Sequence, residues 1–162
     1  MIQRTWVLAF GAALMATLVG CAATPAPKTV AEATAGAPQL GTLNKLVAEA
    51  GLGDTLRAGG PYTVFAPSDE AFAQLPKATL DSLAQDKERL KAVLAYHIVP
   101  GKLGAADVKN GNVKTLQGSE VALSKAGTFV TVEDAMVLQA DMPASNGVVH
   151  VIDRVLMPPQ KK

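Results

Sequence analysis

Aromatic residues are scarce in this chain: one Trp, two Tyr and four Phe make up 4% of it. Its core must therefore be filled by small aliphatics, chiefly Ala, Val and Leu, with few large anchors. Cysteine occurs once, at Cys21, so an intramolecular disulfide framework is excluded. Histidine occurs only at His97 and His150, 53 positions apart, which is no metal-ligand spacing. Charge of one sign is also lacking. Residues 1–20 hold only Arg4, and beyond them 14 basic residues face 14 acidic ones. Without a basic stripe the chain has no footprint for phosphate backbones, so nucleic acid is not an expected partner. Catalytic signatures are missing too. Ser68, Ser82, Ser119, Ser124 and Ser145 are present, yet no Gly-x-Ser-x-Gly elbow frames a nucleophile. Gly51, Gly53, Gly59 and Gly60 lack the strand-before, helix-after setting of a nucleotide loop. The expectation is a protein that is not an enzyme and holds neither metal nor cofactor.

What the chain does have is globular material, 49% hydrophobic and 18% charged over 162 residues. That is enough for one domain preceded by a targeting segment. Arg4 gives a charged start, and residues 6–19 form an uncharged run. As a helix that run reaches roughly 21 Å, short of a ~30 Å hydrocarbon layer. Residues 1–20 therefore read as a secretion signal. The run closes on Leu18, Val19, Gly20 and Cys21, which resembles the bacterial lipobox. There the cysteine thiol takes a diacylglycerol and becomes the first mature residue. A lone thiol in an oxidising compartment fits that use. Two or three acyl chains hold firmly, since each buried methylene contributes ~0.8 kcal/mol. Ala22 after the cysteine resembles the pattern sorted to the outer membrane in Gram-negative lipoproteins. Residues 21–28 then serve as lipidated cysteine and tether, with a reach of at most ~25 Å, and residues 29–160 form the domain.

Within the domain, a short helical signal at Thr29–Ala35 stops at Gly36 and Pro38. Leu40, Leu43, Leu46, Val47 and Ala50 repeat at helical spacing, and Asp54 to Arg57 make a further turn. Residues 62–65 read as a buried strand, followed by a helix capped by Ser68. Thr79 and Asp86 are read as two more caps, the second opening a helix over residues 87–96 that presents Leu90, Val93, Leu94 and His97 on one side. Residues 99–101 close that helix, and residues 110–112 form a turn. Strands are expected over 113–117, 120–124, 128–132 and 136–142, joined by short turns as a meander, with a central last strand over 148–156. Helices first and strands later indicate an α+β fold with an antiparallel or mixed sheet.

Three segments carry a resemblance. Residues 62–72 (YTVFAPSDEAF), 94–101 (LAYHIVPG) and 144–156 (ASNGVVHVIDRVL) are similar, in order and spacing, to the signatures of the fasciclin (FAS1) domain family. The resemblance implies a wedge: a twisted antiparallel or mixed sheet of about seven strands, with helices on one side and at one end. The first helix, short here, is where this chain departs from its relatives. The family segments single out Tyr96, His97, Asn146, Gly147 and His150. Tyr96 and His97 stand where a helix leaves carbonyls over, and their polar hydrogens suit such acceptors. Asn146 and Gly147 tolerate positive φ at a strand-reversing turn. In animal members the Tyr-His region has been tied to integrin-dependent adhesion, a role not carried to a bacterial chain. The resemblance implies a binding or adhesion module at the cell envelope, partnered by the membrane through its lipid and by a protein or polysaccharide. Some fasciclin-type proteins bind carotenoids, so carriage of a small apolar ligand is the alternative, with an accessory subunit of an envelope complex as a third reading.

Overall fold

The computed structural model of the chain describes residues 28–159. The secretion signal, Cys21 and most of the tether lie outside them. Six helices come mostly first: α1 (Val30–Ala35), α2 (Gly41–Glu49), α3 (Gly53–Ala58), α4 (Asp69–Ala73), α5 (Lys77–Gln85) and α6 (Lys87–Tyr96). A 3-10 turn at Pro38–Leu40 joins α1 to α2. The strands are β1 (Tyr62–Pro67), β2 (Ile98–Pro100), β3 (Gly111–Lys114), β4 (Glu120–Ala126), β5 (Phe129–Val132), β6 (Ala135–Ala144) and β7 (Gly147–Ile152). They form one seven-stranded sheet in the order β2-β1-β7-β6-β5-β4-β3.

β1 and β7 are parallel and every other pairing is antiparallel, so the sheet is mixed. The meander from β3 to β7 follows from turns too short for a crossover. Leu116 N–H donates to the Ile98 carbonyl at 2.8 Å, bringing the β3 end of the sheet round to β2 and nearly closing a barrel. Two cores result. Helices α1–α6 pack on β1 and β7 through Leu40, Leu43, Leu56, Leu90, Val149 and Val151. The inside of the curl is filled by Phe65, Tyr96, Val121, Leu123, Val132 and Ile152. Phe65, Leu40 and Leu90 are each at most 1% exposed, and withdrawing such a side chain from water contributes about 1.5–3 kcal/mol. β7 is buried along its whole length, as a central strand must be.

Two caps form as the residue types dictate. Ser68 Oγ accepts from Ala71 N at 3.2 Å, and Asp86 Oδ1 from Arg89 N at 3.0 Å. Short α1 is held by a capping box, in which Glu32 N donates to Thr29 Oγ1 and Thr29 N to Glu32 Oε2. Thr79, expected as a cap, lies inside α5 instead. That helix starts after Pro76, whose fixed φ suits the position and whose carbonyl accepts from Thr79 N at 2.9 Å. Residues 99–101, expected to close α6, instead fall largely in strand β2 (Ile98–Pro100) on the outer side of β1. A three-residue edge strand ending in Pro shows no period, which hid it. Residues 110–112 are not a free turn: β3 begins at Gly111, and Asn110 Oδ1 accepts from Lys125 N at 2.6 Å. The last strand ends at Ile152, short of 156, because Asp153 turns its carboxylate onto Met136 N at 2.7 Å.

Candidate functional site

The family-motif residues sit at the junctions between layers. α6 ends in Tyr96 with His97 as its cap, and the chain then turns into β2, so both rings are carried into the core. Leu156 N–H donates to His97 Nε2 at 3.0 Å, which places the ring proton on Nδ1, 2.7 Å from the Val93 carbonyl. Burial pushes the His97 pKa down to about 4, although the Val93 carbonyl works the other way. His97 is thus neutral at pH 7. The Tyr96 hydroxyl lies 3.1 Å from the Glu120 carbonyl and 3.2 Å from Glu133 Oε1. Burial, with the Glu133 charge beside it, raises its pKa to about 12.

His150 takes the opposite tautomer. Asp141 N–H donates to its Nδ1 at 3.2 Å, leaving the proton on Nε2, 2.8 Å from the Leu103 carbonyl. The ring stacks on Phe65 with centroids 5.6 Å apart, and Phe65 N donates to the His97 carbonyl at 2.9 Å. The two histidines are therefore linked through Phe65. Both ring nitrogens of each already have hydrogen-bond partners within the protein, so neither ring has a lone pair left for a metal.

Asn146 and Gly147 lie at the other end of β7. Among the described residues the non-glycine positions with positive φ are Glu133 (54°) and Asp141 (55°), and Asn146 is not one of them. The positive-φ reading of this pair is thus corrected, since Gly147 is not in that region either. What Asn146 supplies is its amide. Oδ1 accepts from Val30 N at 2.8 Å, and Nδ2 donates to the carbonyls of Leu56 at 2.7 Å and Gly59 at 2.8 Å. One side chain thereby ties α1 and α3 to the start of the central strand. Gly147 is needed for close approach. A Cβ there would overlap the Tyr62 carbonyl oxygen and sit 3.0 Å from Val30 Cγ2.

Sequence reasoning missed three carboxylates with similar duties. Glu133 Oε1 accepts from Ala122 N as well as Tyr96, from a left-handed turn position. Asp141 Oδ1 accepts from Ala105 N at 2.7 Å at a β6 irregularity. Asp69 Oδ1 accepts from Thr42 N at 2.7 Å, docking α2 on α4. Burial pushes the Asp69 carboxyl up, but hydrogen bonds from Thr42 and Gly41 outweigh it and hold its pKa below the usual value. The only local signs were an acid in a turn for Glu133 and in a first helical turn for Asp69; Asp141, within a strand, gave none.

Open surface lies elsewhere. A groove of about 380 Å³ runs between Gln39, Asp69 and Glu70 on the helix side and Leu138 and Gln139 on β6. Another of about 410 Å³ lies between Leu103, Asp107 and β3. Tyr96, His97, Asn146, Gly147 and His150 line neither. A seven-stranded mixed sheet with helices on one side, and signature residues locking its layers, is the arrangement the three segments predict. A profile of the Fasciclin domain matches residues 38–158.

The chain belongs to the fasciclin domain family. This fasciclin chain is 44% identical over 144 residues to Protein sll1483 of Synechocystis sp., covering 88% of the chain and 80% of that protein. It is 38% identical over 145 residues to the cell surface glycolipoprotein MPT83 of Mycobacterium tuberculosis, covering 86% of the chain and 65% of the relative. The transforming growth factor-beta-induced protein ig-h3 of Sus scrofa is 38% identical over 144 residues, of which the chain spans 20% of the length. Among solved structures, the FAS1 domain pair of the insect cell adhesion molecule Fasciclin I superposes with a TM-score of 0.60. That match has 23% identity and covers 74% of the chain and 45% of the neighbour, a likeness of fold.

Proposed function

We propose that this fasciclin protein is a non-enzymatic adhesion module, held at the cell envelope by acyl chains on Cys21, that engages a protein or polysaccharide of the matrix. The likeness to a cell surface glycolipoprotein over 86% of the chain carries the reading. One physical observation supports it. Both ring nitrogens of each histidine are held in hydrogen bonds within the protein, so the family residues serve the scaffold and leave the outer surface to recognise a partner. The tether read over residues 22–28 would keep the domain near the bilayer, where many copies act together and individually weak contacts suffice.

Carriage of a polyene finds less support. The apolar space between Leu43, Leu52, Leu56, Val64 and Leu94 amounts to about 10 Å³, which a polyene could enter only by parting the helices from the sheet. Deleting the gene tests the adhesion reading. Attachment to surfaces is expected to fall and to return on complementation, whereas unchanged attachment across several surfaces and media would overturn it.

A further inference from the structure

Leu116 N–H reaches the Ile98 carbonyl at 2.8 Å, at one end of the seam between β2 and β3. β3 is the last strand of the sheet and pairs with β4 alone. Past that bond the two edges part, and the groove of about 410 Å³ opens between Leu103 and Gly111–Val113. Which groups of β3 face the groove follows from β4. Ala122 N–H donates to Glu133 Oε1 at 3.1 Å, and its carbonyl accepts from Glu133 N at 2.7 Å, so its backbone is turned away from β3. Its partner across the ladder is Asn112. Opposed residues of an antiparallel pair turn their polar groups either toward each other or both away. The N–H and C=O of Asn112 therefore point out of the sheet edge into the groove, where no strand of the described residues meets them.

The floor beneath them is apolar. Val108 and Leu123 belong to the inner core, and Leu103 and Val113 pack on it. Charge is sorted as well. Residues 101–126 carry Lys102, Lys109, Lys114 and Lys125 against Asp107 and Glu120, whereas the rest of residues 29–159 carries 12 acids against 7 bases. Asp107 and Lys109 stand on the rim. Lys125 Nζ donates to the Ala106 carbonyl at 3.0 Å, and Glu120 Oε2 accepts from Asn112 Nδ2 at 3.4 Å. Among the described residues none of the four lysines has an ion-pair partner.

We propose that this groove takes an extended polypeptide segment as an added strand on β3, with apolar residues at every second position and acids between them. The inference rests on the adhesion reading above and narrows its partner to a polypeptide. The open edge selects that class, because a residue opposite Asn112 exchanges both backbone hydrogen bonds with it. Alternation fixes the side chains. The residue opposite Asn112 points outward, on the side of Lys114, while its neighbours point to the floor as Val113 does. The excess of lysine around the groove favours acids at the outward positions. At about 3.3 Å per residue the four residues of β3 span roughly 13 Å, which suits a short segment and a weak single contact.

The test uses the full chain in detergent and a fluorescein-labelled pentapeptide of alternating Val and Glu, read by fluorescence anisotropy. Saturable binding is expected, with a peptide of alternating Val and Lys about tenfold weaker or worse. Asn112→Pro removes the outward N–H and leaves the β4 ladder whole, as an edge strand tolerates. It should weaken binding about tenfold at an unchanged melting temperature, while Asn112→Ala binds as the unsubstituted chain does. N-methylation of both Glu residues of the peptide should abolish binding, an arm that needs no variant to fold. No saturable binding would overturn the site, and equal binding of the Lys peptide would overturn the acids. Undiminished binding by Asn112→Pro, or by the methylated peptide, would overturn strand addition. Returned to a deletion strain, an Asn112→Pro chain that restores attachment would remove the groove from adhesion and leave the adhesion reading standing. A deletion strain that attaches normally would remove that reading and leave the peptide site.

Discussion

Asn146 Oδ1 accepts from the backbone N–H of Val30 at 2.8 Å, across 116 residues of sequence. That bond fixes where the short first helix docks, a point the fasciclin resemblance left open. The same side chain serves Leu56 and Gly59, so it is the meeting point of α1, α3 and β7. Asn146→Asp is the telling substitution, because it preserves shape and the Val30 acceptor while losing both donors. We expect a loss of about 2–4 kcal/mol, since two part-buried carbonyls then face a carboxylate. Urea unfolding measures it, and a loss under about 0.5 kcal/mol would remove the amide from this role.

Gly147→Ala is expected to destabilise by about 3 kcal/mol or more, because the added methyl collides with the Tyr62 carbonyl across the β1–β7 pair. Thermal unfolding with unchanged midpoint would show that the two strands separate freely enough to admit it.

Acid should weaken the fold through His97. Its pKa is about 4 when folded, against an ordinary value near 6.5 when unfolded. The unfolded chain therefore takes up the proton first as pH falls, and stability declines between about pH 6.5 and 4. The depression corresponds to about 3 kcal/mol at ~1.4 kcal/mol per pH unit. His97→Gln should flatten that part of the profile. An equally steep slope in the variant would assign it to the carboxylates instead.

Tyr96→Phe removes the hydroxyl between Glu120 and Glu133 and should cost about 1 kcal/mol, with Glu133 still holding Ala122 N. Equal unfolding midpoints for the two proteins would deny that bond any net weight.

Local pattern made much of this fold legible. The leucine spacing of α2, the acid cap of α6 and the closely spaced turns of the meander are written over stretches of ten residues or fewer. Three signature segments then supplied the topology. What stayed hidden depends on partners far along the chain. β2 is too short to show a period, and the last strand stops early because Asp153 reaches Met136. Asn146 looked like a turn residue because its three partners are more than 80 positions away. Glu133 gave no sign that it would bond across strands, since an acid in a turn is ordinarily solvated, and Asp141 gave none because it reads as an ordinary strand position. For the candidate site, the helix-end position of Tyr96 and His97 already suited their polar hydrogens to carbonyls, but the partners Glu133, Leu156 and, for His150, Leu103 and Asp141 lie too far along the chain to be read from pattern.

In the proposed function, envelope display depends on lipid at Cys21, and the mass of the amino-terminal peptide from membrane-extracted protein tests that most directly. The expected product is a chain beginning at Cys21 and carrying a thioether-linked diacylglycerol. A chain bearing residues 1–20, or a Cys21 with a free thiol, would contradict it.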